Sequence, residues 1–240
     1  MTVAVEVLGV RIDIRLPADA GHEIRDQITS AWQHCLTNSA DPAPHQVAWR
    51  GPDAMTGMHL LSQDVTRAAI DARAGEAVML HAAAIADADS GATLAVVGAS
   101  GAGKTTWVQA HGRNRRYLSD ETVLITQDLR IIGVPKPLSL GHRGLKRQHP
   151  PEEFGLIEAD GTEHLAGLWL LDRDGTTPAR LAEVEMLDTL PLLSEQASYL
   201  TAVDRPLQQM ASIVSACGGL RRAHYGEATD LADIVAEALA

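Results

Sequence analysis

Aromatic side chains are scarce: four Trp, three Tyr and one Phe in 240 residues. Proteins that bind single-stranded nucleic acid stack bases on such rings along a basic groove. Here the formal charge is −11 and the pI is about 5.3, so neither feature is present and no nucleic-acid partner is expected. Long apolar runs are missing too. Nothing approaches the roughly 18 consecutive apolar residues of a membrane-spanning helix, so no membrane association is expected. The opening MTVAVEVLGVRIDIRLP has no basic start and sets Glu6, Arg11 and Asp13 inside its apolar run, unlike a secretory signal. Cysteine is limited to Cys35 and Cys217, which have no metal-ligand spacing, as expected of a cytoplasmic protein with free thiols.

What is present is ordinary globular composition, 45% hydrophobic and 21% charged, at a length suited to one sizeable α/β domain or one with an appendage. The charge is uneven. Residues 104–150 hold nine Lys or Arg and three acids, a net +6, and the rest of the chain carries −17. A positive centre in an acidic protein suits an anionic ligand or an acidic partner, although a solvated basic face reads the same way.

Patterning supplies the elements. Val3, Val5 and Val7 alternate, Gly9 turns the chain, and Val10, Ile12, Ile14 and Leu16 alternate again, which predicts a β-hairpin. Helices are predicted over residues 21–36 and 60–74, with a short strand at 47–49 between them. Residues 77–86 (AVMLHAAAIA) and 93–97 (TLAVV) read as a strand pair. A loop at 98–106 leads into a helix from about Lys104 to Gly112. Residues 122–125 and 165–171 read as buried strands, and 131–140 as extended because of Pro135 and Pro137. Helices are expected at 188–193, 207–216 and 231–239. The division expected is an N-terminal α+β extension over 1–75 and a main domain over 76–240.

Chemistry enters at Gly98-Ala99-Ser100-Gly101-Ala102-Gly103-Lys104-Thr105, which matches G-x-x-x-x-G-K-[ST] between a strand and a helix. Glycines let successive N–H groups turn toward phosphate oxygens, and the helix adds its positive end. Lys104 is a point charge for the β- and γ-phosphates, and Thr105 offers a hydroxyl to Mg²⁺. Gly98, Ser100, Gly101, Ala102, Gly103, Lys104, Thr105 and Thr106 form the expected nucleotide set. Phosphate chemistry also needs a carboxylate. Asp120 and Glu121 precede the 122–125 strand. The rival is Asp172, after the apolar run 168–171, although Asp172-Arg173-Asp174-Gly175 also reads as a turn. The adjacent pair in the basic segment is preferred.

Four stretches occur in order: Leu80-His81-Ala82-Ala83-Ala84, the glycine-rich loop, Tyr117-Leu118-Ser119-Asp120-Glu121-Thr122-Val123-Leu124-Ile125, and Pro135-Lys136-Pro137-Leu138-Ser139-Leu140. Together they resemble the catalytic domain of HPr kinase/phosphorylase, and most of all the short HPr-kinase-like proteins of lasso-peptide and related peptide biosynthetic clusters. The resemblance spans residues 78–140 and hardly touches residues before 75. It implies a P-loop fold of the HPr kinase C-terminal type. It also implies ATP- and Mg²⁺-dependent phosphorylation of a Ser or Thr hydroxyl on a peptide or small protein, such as a biosynthetic precursor peptide. By position, Asp120 is implied as the base that takes the acceptor proton, Glu121 as a metal ligand with Thr105, and His81 as a neighbour of the transferred phosphate. Two departures stand out. Glu121 replaces an Asp, and the family's Arg-Gly-Leu-Gly segment is represented only by His142-Arg143-Gly144-Leu145-Lys146, which keeps Arg143 as a phosphate contact. Phosphorylase activity and HPr as acceptor are therefore left open. So are a small-molecule kinase, a nucleotide-binding regulator or scaffold without catalysis, and assembly into a homo-oligomer.

Overall fold

The computed structural model describes residues 1–17, 21–38, 43–141 and 144–240. The chain opens with the expected hairpin, β1 (Thr2–Val7) and β2 (Val10–Arg15), paired Val3↔Ile14 and Val5↔Ile12. Alternation puts Val3, Val5, Val7, Ile12 and Ile14 on one buried face. Helix α1 (His22–Ala31) is shorter than the predicted span and passes into a 3₁₀ turn at Gln33–Cys35. Strand β3 (His45–Ala48) lies parallel to β2. Helix α2 (Ala54–Ala72) starts before the predicted residue 60, because the Asp53 carboxylate accepts the Thr56 N–H as an N-cap.

The order then runs β4 (Val78–Leu80), β5 (Ala82–Ala86), β6 (Ala92–Val97), α3 (Lys104–His111), β7 (Arg116–Ser119) and β8 (Val123–Ile125). It continues through β9 (Ile131–Gly133), β10 (Leu138–Leu140), β11 (Arg147–His149), β12 (Ile157–Glu158), β13 (His164–Asp172) and β14 (Arg180–Glu183). The last part holds α4 (Met186–Ser194), β15 (Ala197–Ser198), α5 (Pro206–Ala216), β16 (Leu220–His224) and α6 (Ala232–Ala238). This is a mixed α/β architecture. A seven-stranded sheet has the order β12-β7-β5-β6-β13-β16-β14, with β6, β13 and β16 mutually parallel. A four-stranded antiparallel sheet has the order β15-β4-β8-β9, and β10 pairs with β11.

The two larger sheets share a ribbon. Residues 77–86, expected as one strand, break at His81 into β4 and β5. Residues 116–125 break in the same way at Asp120–Thr122, between β7 and β8. Strands β4 and β8 pair Leu80↔Val123 in one sheet, and β5 and β7 pair Ala84↔Ser119 in the other. One antiparallel ribbon thus crosses from sheet to sheet. His81 on one strand and Asp120, Glu121 and Thr122 on the other occupy the crossing, between the paired residues of the two sheets.

Burial follows the ribbon. Ala82, Ala84, Val97 and Leu168 pack with Leu80, Val123 and Ile125 and with Leu193, Met210 and Val214 of α4 and α5. The opposite face of the larger sheet, with Ile85, Val96 and Trp169, is covered by Trp107 and Val108 of α3 and Val235 of α6. The N-terminal elements share a third cluster with the smaller sheet: Val5, Ile12, Ile14 and Val65 pack with Met79, Leu124 and Val134. The Leu8 N–H also donates to Gly133 O at 3.2 Å.

Candidate phosphate and metal site

Strand β6 ends at Val97, and the glycine-rich loop wraps from there into α3 at the carboxyl edge of parallel strands. Anions and nucleotides bind at that edge in α/β sheets. Three glycines are needed for the wrap, Gly101 among them at φ +86°. A Cβ on Gly98 would lie 2.8 Å from that of Ala102, and Gly103 takes φ +97° as it hands over to the helix. The Ala102 N–H is used inside the loop, on Ala99 O at 3.0 Å, and Tyr225 Oη donates to Ala102 O at 3.2 Å. Lys104 does not stretch into solvent, as a free phosphate-seeking lysine would. It is 7% exposed, and its ammonium donates to Gly98 O at 2.6 Å and more weakly to Ala99 O at 3.4 Å. The side chain closes the loop, with one N–H left over. Burial lowers its pKa to about 8, against the pull of Asp120 and Glu121.

From the first turn of α3, Thr105 Oγ1 donates to Asp120 Oδ2 at 2.9 Å. Asp120 Oδ1 accepts from Lys136 Nζ at 2.9 Å and from Tyr117 Oη at 3.2 Å. Burial alone would raise the Asp120 pKa, but the Lys136 ammonium and these three hydrogen bonds override it and hold the carboxyl below its usual range. Glu121 lies beside it, more open, with Oε2 at 3.2 Å from the same Lys136. The oxygens of Thr105, Asp120 and Glu121 are hard donors of the kind Mg²⁺ takes. Two carboxylates and a hydroxyl make an all-oxygen donor set, and by that chemistry the residues fit a magnesium ion beside phosphate.

These groups line a cleft of about 720 Å³ together with His81, Ser100, Gly101, Gly103, Thr106 and Gln109. The structure therefore gathers Ser100, Gly101, Gly103, Lys104, Thr105 and Thr106 with His81, Asp120 and Glu121 around one cavity, whereas Gly98 and Ala102 do not line it. His81 is half-buried. Burial first and Lys104 second push its pKa down, so the ring is held toward the neutral form. Further lining comes from elements that the sequence did not connect to the site. Helix α2 supplies His59, Ser62 and Gln63, and the β10–β11 hairpin supplies Ser139, Leu140 and Lys146. The i, i+3, i+4 spacing of the α2 residues was legible, but nothing in the sequence says where that face points. Ser62 is 3% exposed.

Asp172 stands on β13, which is parallel to the strand that feeds the loop, but its carboxylate turns away. It takes Arg222 at 3.2 Å, with His224 at 3.7 Å. Asp172, Asp174 and His224 do offer ligand atoms within 4.8 Å of one another, but the Arg222 guanidinium already lies on Asp172. Arg143 lies outside the described residues. Lys146 lines the cleft, whereas Arg147 lines a separate groove of about 380 Å³ against α1 and α2. Among the described residues no helix is long and apolar enough to cross a membrane. No protein-family model matches the chain, and no curated protein matches it.

Proposed function

We propose that this protein is an ATP-dependent kinase that transfers the γ-phosphoryl group to a Ser or Thr hydroxyl of a peptide or small protein. In this reading the fold is of the P-loop, HPr kinase C-terminal type. One observation carries the reading: the helix-start Thr105 hydroxyl and the buried Asp120 carboxylate are hydrogen-bonded, 15 residues apart in sequence, at the mouth of a phosphate-shaped loop. A bare anion-binding loop has no use for that partner.

The loop amides and Lys104 would hold the β- and γ-phosphates, and Thr105 and Glu121 would hold the metal. Bound there, Mg²⁺ would offset phosphate charge and orient the γ-phosphoryl group. Asp120 Oδ2, the carboxylate oxygen on the Thr105 side, accepts the acceptor's proton. The acceptor oxygen forms the new O–P bond, the bond from Pγ to the bridging oxygen breaks, and ADP leaves. His81, neutral at the cleft wall, hydrogen-bonds the moving phosphoryl group. The reading is tested with ATP carrying a labelled γ-phosphate, Mg²⁺ and a Ser/Thr peptide library. Label on peptide hydroxyls, lost in Lys104→Ala, is the expected result. Label on metabolites instead, or tight ATP binding with transfer to nothing, overturns it.

A further inference from the structure

Lys136 is the least expected residue of the site. A lysine between two prolines in an extended segment reads as a solvated side chain, yet it is 1% exposed. A buried ammonium is strongly unfavourable unless it is paired and hydrogen-bonded. Its partners are Asp120 Oδ1 at 2.9 Å, Glu121 Oε2 at 3.2 Å, Pro137 O at 3.4 Å and Ser139 Oγ at 3.5 Å. One cation therefore holds one oxygen from each of two adjacent acids. Neighbouring side chains in extended backbone point to opposite sides. Asp120 and Glu121 escape that rule because they lie at the ribbon crossing, and the shared lysine draws both to one side. The backbone that carries Lys136 is itself braced. Pro135 and Pro137 fix its flanking φ angles, and Cys35 Sγ donates to Pro135 O at 3.2 Å.

We propose that Lys136 is the positioning residue of this site. By holding Asp120 Oδ1 and Glu121 Oε2, it sets Asp120 Oδ2 against Thr105 and leaves the second oxygen of Glu121 for the cleft that this residue lines. What those oxygens meet there, on the kinase reading, is the magnesium–phosphate group, so the inference rests on that reading.

The experiment compares ATP affinity in excess Mg²⁺ with ATP affinity in EDTA, by calorimetry on the full chain. Lys136→Met keeps most of the volume and removes the charge. It is expected to lose about 10-fold or more of the Mg²⁺-dependent gain, the usual scale for a residue behind a metal ligand, with EDTA affinity nearly unchanged. Lys136→Arg, which keeps a cation, is expected to recover part of the gain. Equal losses with and without Mg²⁺, or no loss, overturn the proposal. Should Lys136→Met fail to fold, the double variant Lys136→Met/Asp120→Asn removes the uncompensated charge. A wild-type Mg²⁺ gain in that double variant also overturns it. If the unaltered chain binds ATP no better with Mg²⁺ than without, the kinase reading fails and takes this inference with it.

Discussion

Thr105 and Asp120 meet at 2.9 Å on the floor of the cleft. One belongs to the helix that follows the phosphate loop, the other to the gap between β7 and β8. Their contact ties the glycine-rich loop to the ribbon crossing.

Asp120→Asn separates the two candidate acids. Phosphoryl transfer is expected to fall about 10²-fold or more if Asp120 accepts the proton. Stability falls as well, because Lys136 is left buried with a weaker partner. Breaking such a pair costs about 3–5 kcal/mol at the upper end. Asp172→Asn breaks only a half-exposed pair and is expected to cost no more than about 1 kcal/mol, with transfer nearly unchanged. Melting curves alongside transfer rates check both, and a silent Asp120→Asn with a crippled Asp172→Asn reverses the assignment.

Affinity for nucleotide should depend on pH through Lys104. Its free-state pKa is about 8. Below that value the ammonium is present for the phosphates. Above it the proton must be supplied on binding, and affinity declines by up to about 10-fold per pH unit. Folding of the unliganded chain has the opposite slope. The unfolded lysine keeps its proton to about 10.5, so the contribution of this group to stability rises between pH 8 and 10.5. Calorimetric titrations from pH 6.5 to about 9.5 read the first effect, and Lys104→Met should flatten it.

Crystals grown in sulfate or phosphate should hold an anion on the N–H groups of Gly103, Lys104 and Thr105, where α3 presents its positive end. The Ala102 N–H is committed to Ala99 O and takes no part. A loop that stays bare at high sulfate concentration counts against phosphate binding there.

Gly103→Ala places a side chain at φ +97°. The strain is of order 1–2 kcal/mol. A Cβ there meets only Tyr225 Oη at 3.5 Å, so the fold should survive while the loop amides lose their aim. Nucleotide affinity is expected to fall at least about 10-fold, equivalent to some 1.4 kcal/mol. Unchanged affinity would mean that the loop tolerates another path.

Lys146 and Arg147, adjacent in sequence, should separate in function because they line different cavities. Lys146→Ala is expected to raise the KM for an acidic acceptor peptide, most at low salt, with ATP affinity nearly unchanged. Arg147→Ala is expected to act on acceptors long enough to reach the groove between α1 and α2. Steady-state kinetics on short and long peptides distinguish the two.

Much of this was legible from local pattern. The hairpin of residues 2–15, the glycine-rich loop and the strand His164–Asp172 follow from alternation, glycine spacing and an apolar run. The break at His81 was not. Residues on both sides of it are buried on both faces, so periodicity has no polar face to mark where one sheet ends and the next begins. The early start of α2 left a signal, Asp53 three residues before Thr56, that the apolar spacing overrode. Lys136 left none, since its partners come from another part of the chain. The same holds for α2 as a wall of the cleft, where the i, i+4 pattern identifies a polar face but not its neighbour.

The ribbon crossing has a further consequence for how this chain can vary. Asp120, Glu121 and Thr122 carry no rung of either ladder, whereas the His81 N–H still donates to Gln196 O at 2.7 Å, beyond the end of β4. The amides of Glu121 and Thr122 are instead taken locally by Ser119 Oγ, each at 2.9 Å. An exchange of Glu121 for another acid therefore alters reach and acidity without disturbing register in either sheet. Two residues further along, in β8, a slip would turn Val123, Leu124 and Ile125 onto the wrong faces. The corner is the place where descendants of this sequence can try new chemistry while inheriting the same scaffold.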